Sequence, residues 1–410
     1  MSSSQANPSP PRIAFCTDTF EEANGVATVS RAYAAYARKH QLPFLLVRPG
    51  AESRTITEGP MTTVEVGKSR LYIPLDMGLR FDLLIWRQAD WLRRQLIDFN
   101  PDIVHITGPG DIGMVCARLS HTLRVPKPPL VGAWHTNVHQ YARMRATPLL
   151  NALPRNLGEQ LGASIEGVSF TLTARFYKTA RMILAPNQDI LDRLTLQTGK
   201  PGRLMLHGVD SDLFTPSPGP HTGKPLTLGY AGRLTAEKNV RFLVEVANGL
   251  APEVRDRVRF LIVGDGAQRS WLESRLPSST QFTGMLRGEA LARAYAEMDV
   301  FLFPSLSDTF GLVVLEAMSS GVPVIAFKVC GPDSVVEDGV NGLGASTPRD
   351  FIAGVNQLIL DADLRVRMGG AAHRSALRQS WETVFSEVYQ TYGELLSLPA
   401  RQPALARAAT

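Results

Sequence analysis

Arg233 closes the turn Ala231-Gly232-Arg233, and Lys238 lies in Glu237-Lys238-Asn239 at the start of the next helix. A guanidinium and an ammonium five residues apart, beside a tight glycine turn, can converge on a diphosphate leaving group. Further along, residues 304–321 read Pro-Ser-Leu-Ser-Asp-Thr-Phe-Gly-Leu-Val-Val-Leu-Glu-Ala-Met-Ser-Ser-Gly. The apolar run Val300 to Phe303 precedes this stretch, and Val313, Val314, Ala317 and Met318 recur in it at helical spacing. The pattern is strand, loop, helix. Phe310 and Gly311 fall at the helix start, where unpaired N–H groups and the positive end of the dipole favour an anion. Asp308 in the loop and Glu316 in the second helical turn bracket that point, and both can read hydroxyls. An anion cradle between two acids suits a ligand that carries phosphate and sugar.

Two further turns follow apolar runs. Val263-Gly264-Asp265-Gly266 is poor in side chains, and its glycines let a flat ring approach the backbone, although a plain strand-to-helix turn would look the same. Trp134-His135-Thr136-Asn137 follows Leu130 to Ala133 and puts His135 at the carboxyl end of a strand. Gly108-Pro-Gly110-Asp-Ile-Gly113 spells a dinucleotide fingerprint, but no acid stands about 20 residues on to hold a ribose, so a turn is expected. Asp210-Ser211-Asp212 spells a metal motif in a linker context, and no essential metal is expected. The arginines of the first half lack a nucleic-acid-binding module, which argues against a nucleic-acid partner.

The elements that position these residues alternate. Short apolar runs at Arg12 to Phe20, Phe44 to Val47, Ile103 to Ile106, Leu130 to Ala133 and Met182 to Leu184 are separated by helical segments such as Leu83 to Phe99. A second series begins at Leu226 to Tyr230 and runs through Arg259 to Val263, Gln281 to Thr283 and Asp299 to Phe303 to Val322 to Phe327. Strands alternating with helices predict parallel sheets covered on both faces. The expected architecture is α/β: two Rossmann-like doubly wound domains, residues 12–210 and 226–380, joined by a Pro/Gly/Ser/Thr-rich linker over 211–225. Such sheets bind ligands at the carboxyl ends of their strands, so the cleft between the halves is the expected active site. Trp381, Val384, Phe385, Val388 and Tyr389 form an apolar stripe on a last helix, 381–398, which either caps the second domain or crosses back to the first. Residues 1–11 and 399–410 read as tails.

The 304–321 stretch resembles the signature of the retaining family 4 glycosyltransferases of the GT-B fold. Those enzymes most often carry Glu at the first acidic place, where this chain has Asp308. The resemblance implies an acceptor site in the first domain and a nucleoside-diphosphate sugar in the second. It assigns Arg233 and Lys238 to the diphosphate, Asp308 to the sugar, Glu316 to the ribose and His135 to a hydrogen bond near the reacting sugar. It adds Gly25, in Asn24-Gly25-Val26, as a glycine loop approaching the donor phosphates, and Gly264, Gly266 and Met285 against the base. Thr309, Phe310, Gly311 and Leu312 complete the donor-binding set. The implied reaction retains anomeric configuration without a protein nucleophile. The Asp-Thr-Phe-Gly variant and the opening Thr17 to Phe20 are similar to mannosyltransferases and glycolipid synthases. The preferred donor is therefore GDP-mannose and the acceptor a lipid or glycan. The alternatives are a UDP-sugar-dependent glycolipid synthase, a nucleotide-sugar epimerase on the same scaffold, or a sugar-nucleotide sensor.

At 410 residues and 44% apolar, the chain can bury two or three ordinary cores. The first 210 residues hold 24 Lys and Arg against 17 Asp and Glu, a net +7; the remainder holds 19 against 21 and so carries −2. A basic first half can face an anionic membrane or acidic substrates. Leu83, Leu84, Trp86, Arg87, Trp91, Arg93 and Arg94 crowd one segment of the kind that rests on anionic lipid, and a second basic, apolar segment spans Arg143 to Arg181. No run approaches the roughly 20 apolar residues that span a bilayer, and the opening residues lack a signal-peptide pattern. Cys16, Cys116 and Cys330 lack zinc or redox spacing and read as reduced thiols. A cytoplasmic protein, peripheral on the inner face of the membrane, is expected.

Overall fold

The computed structural model describes residues 9–398 other than 23, 75–79, 136–137, 151–152, 218–224, 307, 309, 329–330 and 332–333. Residues 1–8 and 399–410 of the tails, residues 218–224 of the linker, Thr309 and Cys330 therefore lie outside the described residues.

The first domain contains β1 (Ile13–Cys16), β2 (Phe44–Gly50), β3 (Arg54–Glu58), β4 (Met61–Gly67), β5 (Tyr72–Pro74), β6 (Arg80–Asp82), β7 (Ile103–Ile106), β8 (Leu130–Ala133), β9 (Met182–Ala185) and β10 (Gly202–Leu204). Eight of them form one sheet in the order β10-β9-β8-β7-β1-β2-β4-β3, while β5 and β6 pair separately. Every neighbour is parallel except β3, which runs antiparallel to β4. The strands β1, β7, β8 and β9 are four residues long and buried throughout, as expected of strands covered by helices on both faces.

The second domain is a purely parallel sheet of β11 (Leu226–Ala231), β12 (Val258–Val263), β13 (Gln281–Gly284), β14 (Val300–Phe303), β15 (Val324–Phe327) and β16 (Gly342–Ala345). Its order is β13-β12-β11-β14-β15-β16. The order reverses beside β11, so the loops after β11 and β14 splay apart and leave a crevice at their carboxyl ends.

The last helix, Trp381–Ser397, packs on the first domain. Val384, Phe385, Val388, Tyr392 and Leu395 join the same core as Ile13, Phe15, Val29 and Tyr33. Tyr33 and Phe385 stack with centroids 4.4 Å apart and 4° between planes. The Tyr33 hydroxyl donates to Tyr392 at 3.0 Å, and the Tyr392 hydroxyl meets His105 Nδ1 at 2.5 Å. Aromatic burial holds this crossover; the ion pairs of Lys39 and His40 with Glu382 are exposed and add little.

Several details depart from the sequence reading. The expected helix Leu83 to Phe99 begins with a 3-10 turn, Ile85–Gln88, and becomes α-helical only over Ala89–Phe99. Of the segment's aromatic and leucine residues, read as either core or lipid-facing, Trp91 packs against the first domain's core, while Leu83 and Trp86 stay exposed. Strand β3 is solvent-exposed along its whole length and has no apolar alternation to announce it. Cys16 and Cys116 are buried free thiols.

Candidate functional site

A cleft of about 480 Å³ lies between the two sheets, lined from the first domain by Asn24, Gly25, Arg31 and His135, and from the second by Arg233, Lys238, Gly264, Met285, Asp308, Phe310, Gly311, Leu312 and Glu316. Two helix starts face each other in it. The Gly25–Lys39 helix is capped by Asn24, whose side chain accepts from the Ala27 N–H at 2.9 Å. Gly25 stands opposite Leu312, since a Cβ added to it would meet Leu312 Cδ1 at 3.5 Å. The Leu312–Ser319 helix begins after Gly311, whose φ of +91° suits only a residue without a side chain. Both tips present unpaired N–H groups and the positive ends of their dipoles.

The cations beside these tips are held by acids. Arg233 Nη1 is 3.0 Å from Glu237 Oε1, and Lys238 Nζ donates to Asp308 Oδ1. Tyr230 steadies the turn by donating to the Arg233 carbonyl at 3.0 Å. Asn239 Nδ2 donates to the Pro304 carbonyl at 3.1 Å, which ties the Arg233–Lys238 loop to the Asp308 loop. Burial pushes the Asp308 carboxyl up, but Lys238, then the Ser305 hydroxyl and Arg233, pull it further down, so it sits below the usual carboxylate range. Its second oxygen, Oδ2, is buried without a partner among the described residues. A buried carboxylate oxygen left bare is costly, and a ligand hydroxyl would relieve that cost.

Glu316 behaves differently. Withdrawal from solvent raises its carboxyl to about 7, and the hydrogen bond that Tyr295 donates to Oε2 at 2.8 Å offsets only part of that rise. Near neutral pH it is balanced between two protonation states.

The remaining expected residues divide. Gly264 approaches the neighbouring loop so closely that a Cβ would lie 1.9 Å from the Gly232 carbonyl oxygen. Met285 is 49% exposed and free to cover a flat ring. Gly266 is absent from the cleft lining and packs under Leu234, whose carbonyl oxygen a Cβ would meet at 2.5 Å. Phe310 is buried, its ring packed in the second domain's core. His135 is buried, which lowers its imidazole to about 4 and keeps it neutral.

The turn Gly108–Gly113 is filled by the chain itself. Asp18 Oδ1 accepts from the N–H groups of Ile112 at 2.8 Å and Gly113 at 3.3 Å, where a phosphate would otherwise bind. Asp210 accepts from the Leu213 N–H at 3.1 Å, as a turn residue does. Sequence reasoning passed over His207, Tyr295, Glu237 and Arg31. His207 precedes the Gly-Val-Asp that marks the domain junction, and that placement was its available signal. Tyr295 becomes visible only when the Glu316 helix is brought to it, whereas the four-residue spacing of Glu237 from Arg233 was a local signal.

Residues 23–213 match the model of Glycosyltransferase Family 4, and residues 225–361 match that of Glycosyl transferases group 1. A GDP-mannose-dependent alpha-mannosyltransferase of Mycolicibacterium smegmatis is 33% identical over 314 residues, 73% of this chain and 75% of the relative. Its namesake in Corynebacterium glutamicum is 26% identical over 408 residues, covering 96% and 91% of the two chains. Among solved structures, sucrose-phosphate synthase from Thermosynechococcus elongatus superposes with a TM-score of 0.71 at 18% identity, covering 94% of this chain and 99% of its own. Anabaena HepE in complex with UDP and glucose gives 0.65 at 16%, covering 94% and 100%. These superpositions establish the GT-B architecture.

Proposed function

The chain belongs to the family 4 glycosyltransferases, which move a sugar from a nucleotide-sugar donor, and from that membership we propose that the sugar is mannose, the donor GDP-mannose and the acceptor a hydroxyl of a lipid or glycan. The reading is carried by one observation: Gly25 and His135 from one sheet and Arg233, Lys238, Asp308 and Glu316 from the other line a single cleft. In this reading the diphosphate lies between the two helix tips, with Arg233 and Lys238 on its oxygens. Asp308 Oδ2 accepts from a sugar hydroxyl, Glu316 holds the ribose, and Gly264 and Met285 flank the base.

Transfer then breaks the bond between the anomeric carbon and the phosphate oxygen and forms the acceptor oxygen bond on the same face. The acceptor proton passes to the departing phosphate, so configuration is retained and no side chain is alkylated. Fixed cations at the point where negative charge grows stabilise the transition state over the ground state. Arg233 and Lys238 supply that charge, so turnover is expected to survive a metal chelator.

The basic first domain exposes Leu157, Leu161, Val168 and Leu172 on one long helix, and an anionic membrane is the surface we propose it meets, read by co-sedimentation with anionic and neutral vesicles. No helix among the described residues is long and apolar enough to cross a membrane. The donor assignment is tested by incubating the enzyme and a lipid extract with GDP-mannose, UDP-glucose or UDP-galactose and analysing the products. A mannosylated acceptor from GDP-mannose alone supports the reading. An altered hexose on the nucleotide points to an epimerase, and transfer only from a UDP-sugar overturns the donor.

A further inference from the structure

Tyr295 is a phenol at a place where packing asks only for a ring. It lies in the last turn of the Gly288–Ala296 helix, wholly buried in the second domain's core, edge-on to Phe214 with centroids 5.6 Å apart and 5.7 Å from Phe301. A phenylalanine would fill that space with no polar atom to satisfy. The hydroxyl has one definite partner: it donates at 2.8 Å to Glu316 Oε2, on the Leu312–Ser319 helix. Glu316 Oε1 receives no hydrogen bond from a described residue, and both side chains line the cleft. We infer that Tyr295 is a positioning residue for the donor's ribose: by holding Oε2 it fixes the plane of the Glu316 carboxylate and leaves Oε1 for the ribose hydroxyls.

The chemistry of the partner matters. Asp308 is held by the ammonium of Lys238, which offsets its charge, whereas a neutral phenol steadies Glu316 and leaves the charge on the carboxylate. Burial, and then the Glu316 charge, push the ionisation of the Tyr295 phenol well above its usual range, so it stays a donor whenever Glu316 is charged. The bond in turn favours the ionised carboxylate against the burial that raises it. The other ionisable groups around the cleft are engaged elsewhere. Arg233 and Lys238 pair with Glu237 and Asp308, Tyr230 donates to the Arg233 carbonyl, Arg287 acts on Arg31, and His135 and His207 are neutral. Among the described residues, Tyr295 is therefore the ionisable partner that sets the state of Glu316.

The inference rests on the reading that sets Glu316 on the ribose, and it is tested by GDP binding, without turnover. Tyr295→Phe keeps the ring and removes the hydroxyl. In calorimetric titrations it should bind GDP about tenfold more weakly than the parent at pH 7 and within about threefold of it at pH 9, because the Glu316 carboxyl then takes its proton about one unit higher. Added to Glu316→Gln, the same change should alter GDP affinity by less than about twofold, since Tyr295 acts through that carboxylate. A variant equal to the parent at both pH values overturns the inference, as does the full loss recurring on top of Glu316→Gln. A second measurement needs no tyrosine variant. With isotope-labelled tyrosine and glutamate in the full chain, one tyrosine ring-carbon signal should move with the midpoint of the Glu316 carboxyl and stand still in Glu316→Gln; if none does, the inference falls. Undiminished GDP binding by Glu316→Gln would take Glu316 off the ribose and the inference with it. Absence of mannosyl transfer with GDP binding as stated would count against the mannosyl reading alone.

Discussion

The second domain's wall of the cleft carries two ion pairs, Lys238 with Asp308 and Arg233 with Glu237, whereas the first domain's wall offers a helix tip at Gly25, the guanidinium of Arg31 and neutral imidazoles at His135 and His207. The domain with the net excess of positive charge contributes Arg31 to the cleft, while both ion-paired cations come from the other domain. Net charge reports what the surface attracts at long range; binding in a desolvated cleft depends on a few fixed groups and their partners. Pairing also holds the cations in place before the ligand arrives, so little reorganisation is left to the reaction step.

The largest effect follows from breaking a pair on the second domain's wall. Lys238→Ala removes a cation from the growing phosphate charge and leaves Asp308 buried without its counter-ion, so kcat/KM should fall about 10²–10³-fold. Steady-state rates with the sugar nucleotide check this. A loss of under threefold would show that the pair is only structural.

The next prediction separates Glu316 from its paired neighbours. Its carboxyl is raised to about 7, so on acidification it takes a proton as the pH passes 7 and ceases to be a full acceptor for ribose hydroxyls. Donor KM should rise below pH 7, approaching tenfold per unit, and Glu316→Gln should be uniformly weak and flat across the same range. A pH-independent KM in the parent would remove Glu316 from the donor site.

How far these walls could be read in advance differs for the same physical reason. Gly311, Asp308, Glu316, Arg233 and Lys238 lie in short segments where spacing, glycine and charge coincide, so local chemistry announces them. The parallel sheets were equally legible, because four-residue buried strands such as Val300–Phe303 stand out between helical stretches. The partners Tyr295 and His207 were not, since each matters through a contact that only the assembled chain makes, whereas Glu237 stands four residues from Arg233. The stripe on the last helix showed that it is buried but not against which domain; the Tyr33–Phe385 stack lies between residues far apart in sequence.

The smallest effect lies behind the first domain's wall, where burial and then Asp111 raise the Asp18 carboxyl to about 8. A carboxyl raised on folding binds its proton more tightly in the native state, so its contribution to stability is intact below pH 4 and is lost as pH rises towards 8. Asp18→Asn keeps an oxygen for the Ile112 and Gly113 N–H groups and cannot ionise. The variant's melting temperature should fall less between pH 5 and 8 than the parent's, by a few degrees. Parallel melting curves would assign the pH dependence elsewhere.

The contrast between the walls is tested most directly by titrating GDP calorimetrically, without added metal, into the parent protein, into the Arg233→Ala/Lys238→Ala double variant and into His135→Gln. If the second domain's cations hold the diphosphate, GDP binds the parent, its affinity for the double variant falls at least about 100-fold, and His135→Gln stays within about threefold of the parent. Equal affinity for the parent and the double variant would contradict the account.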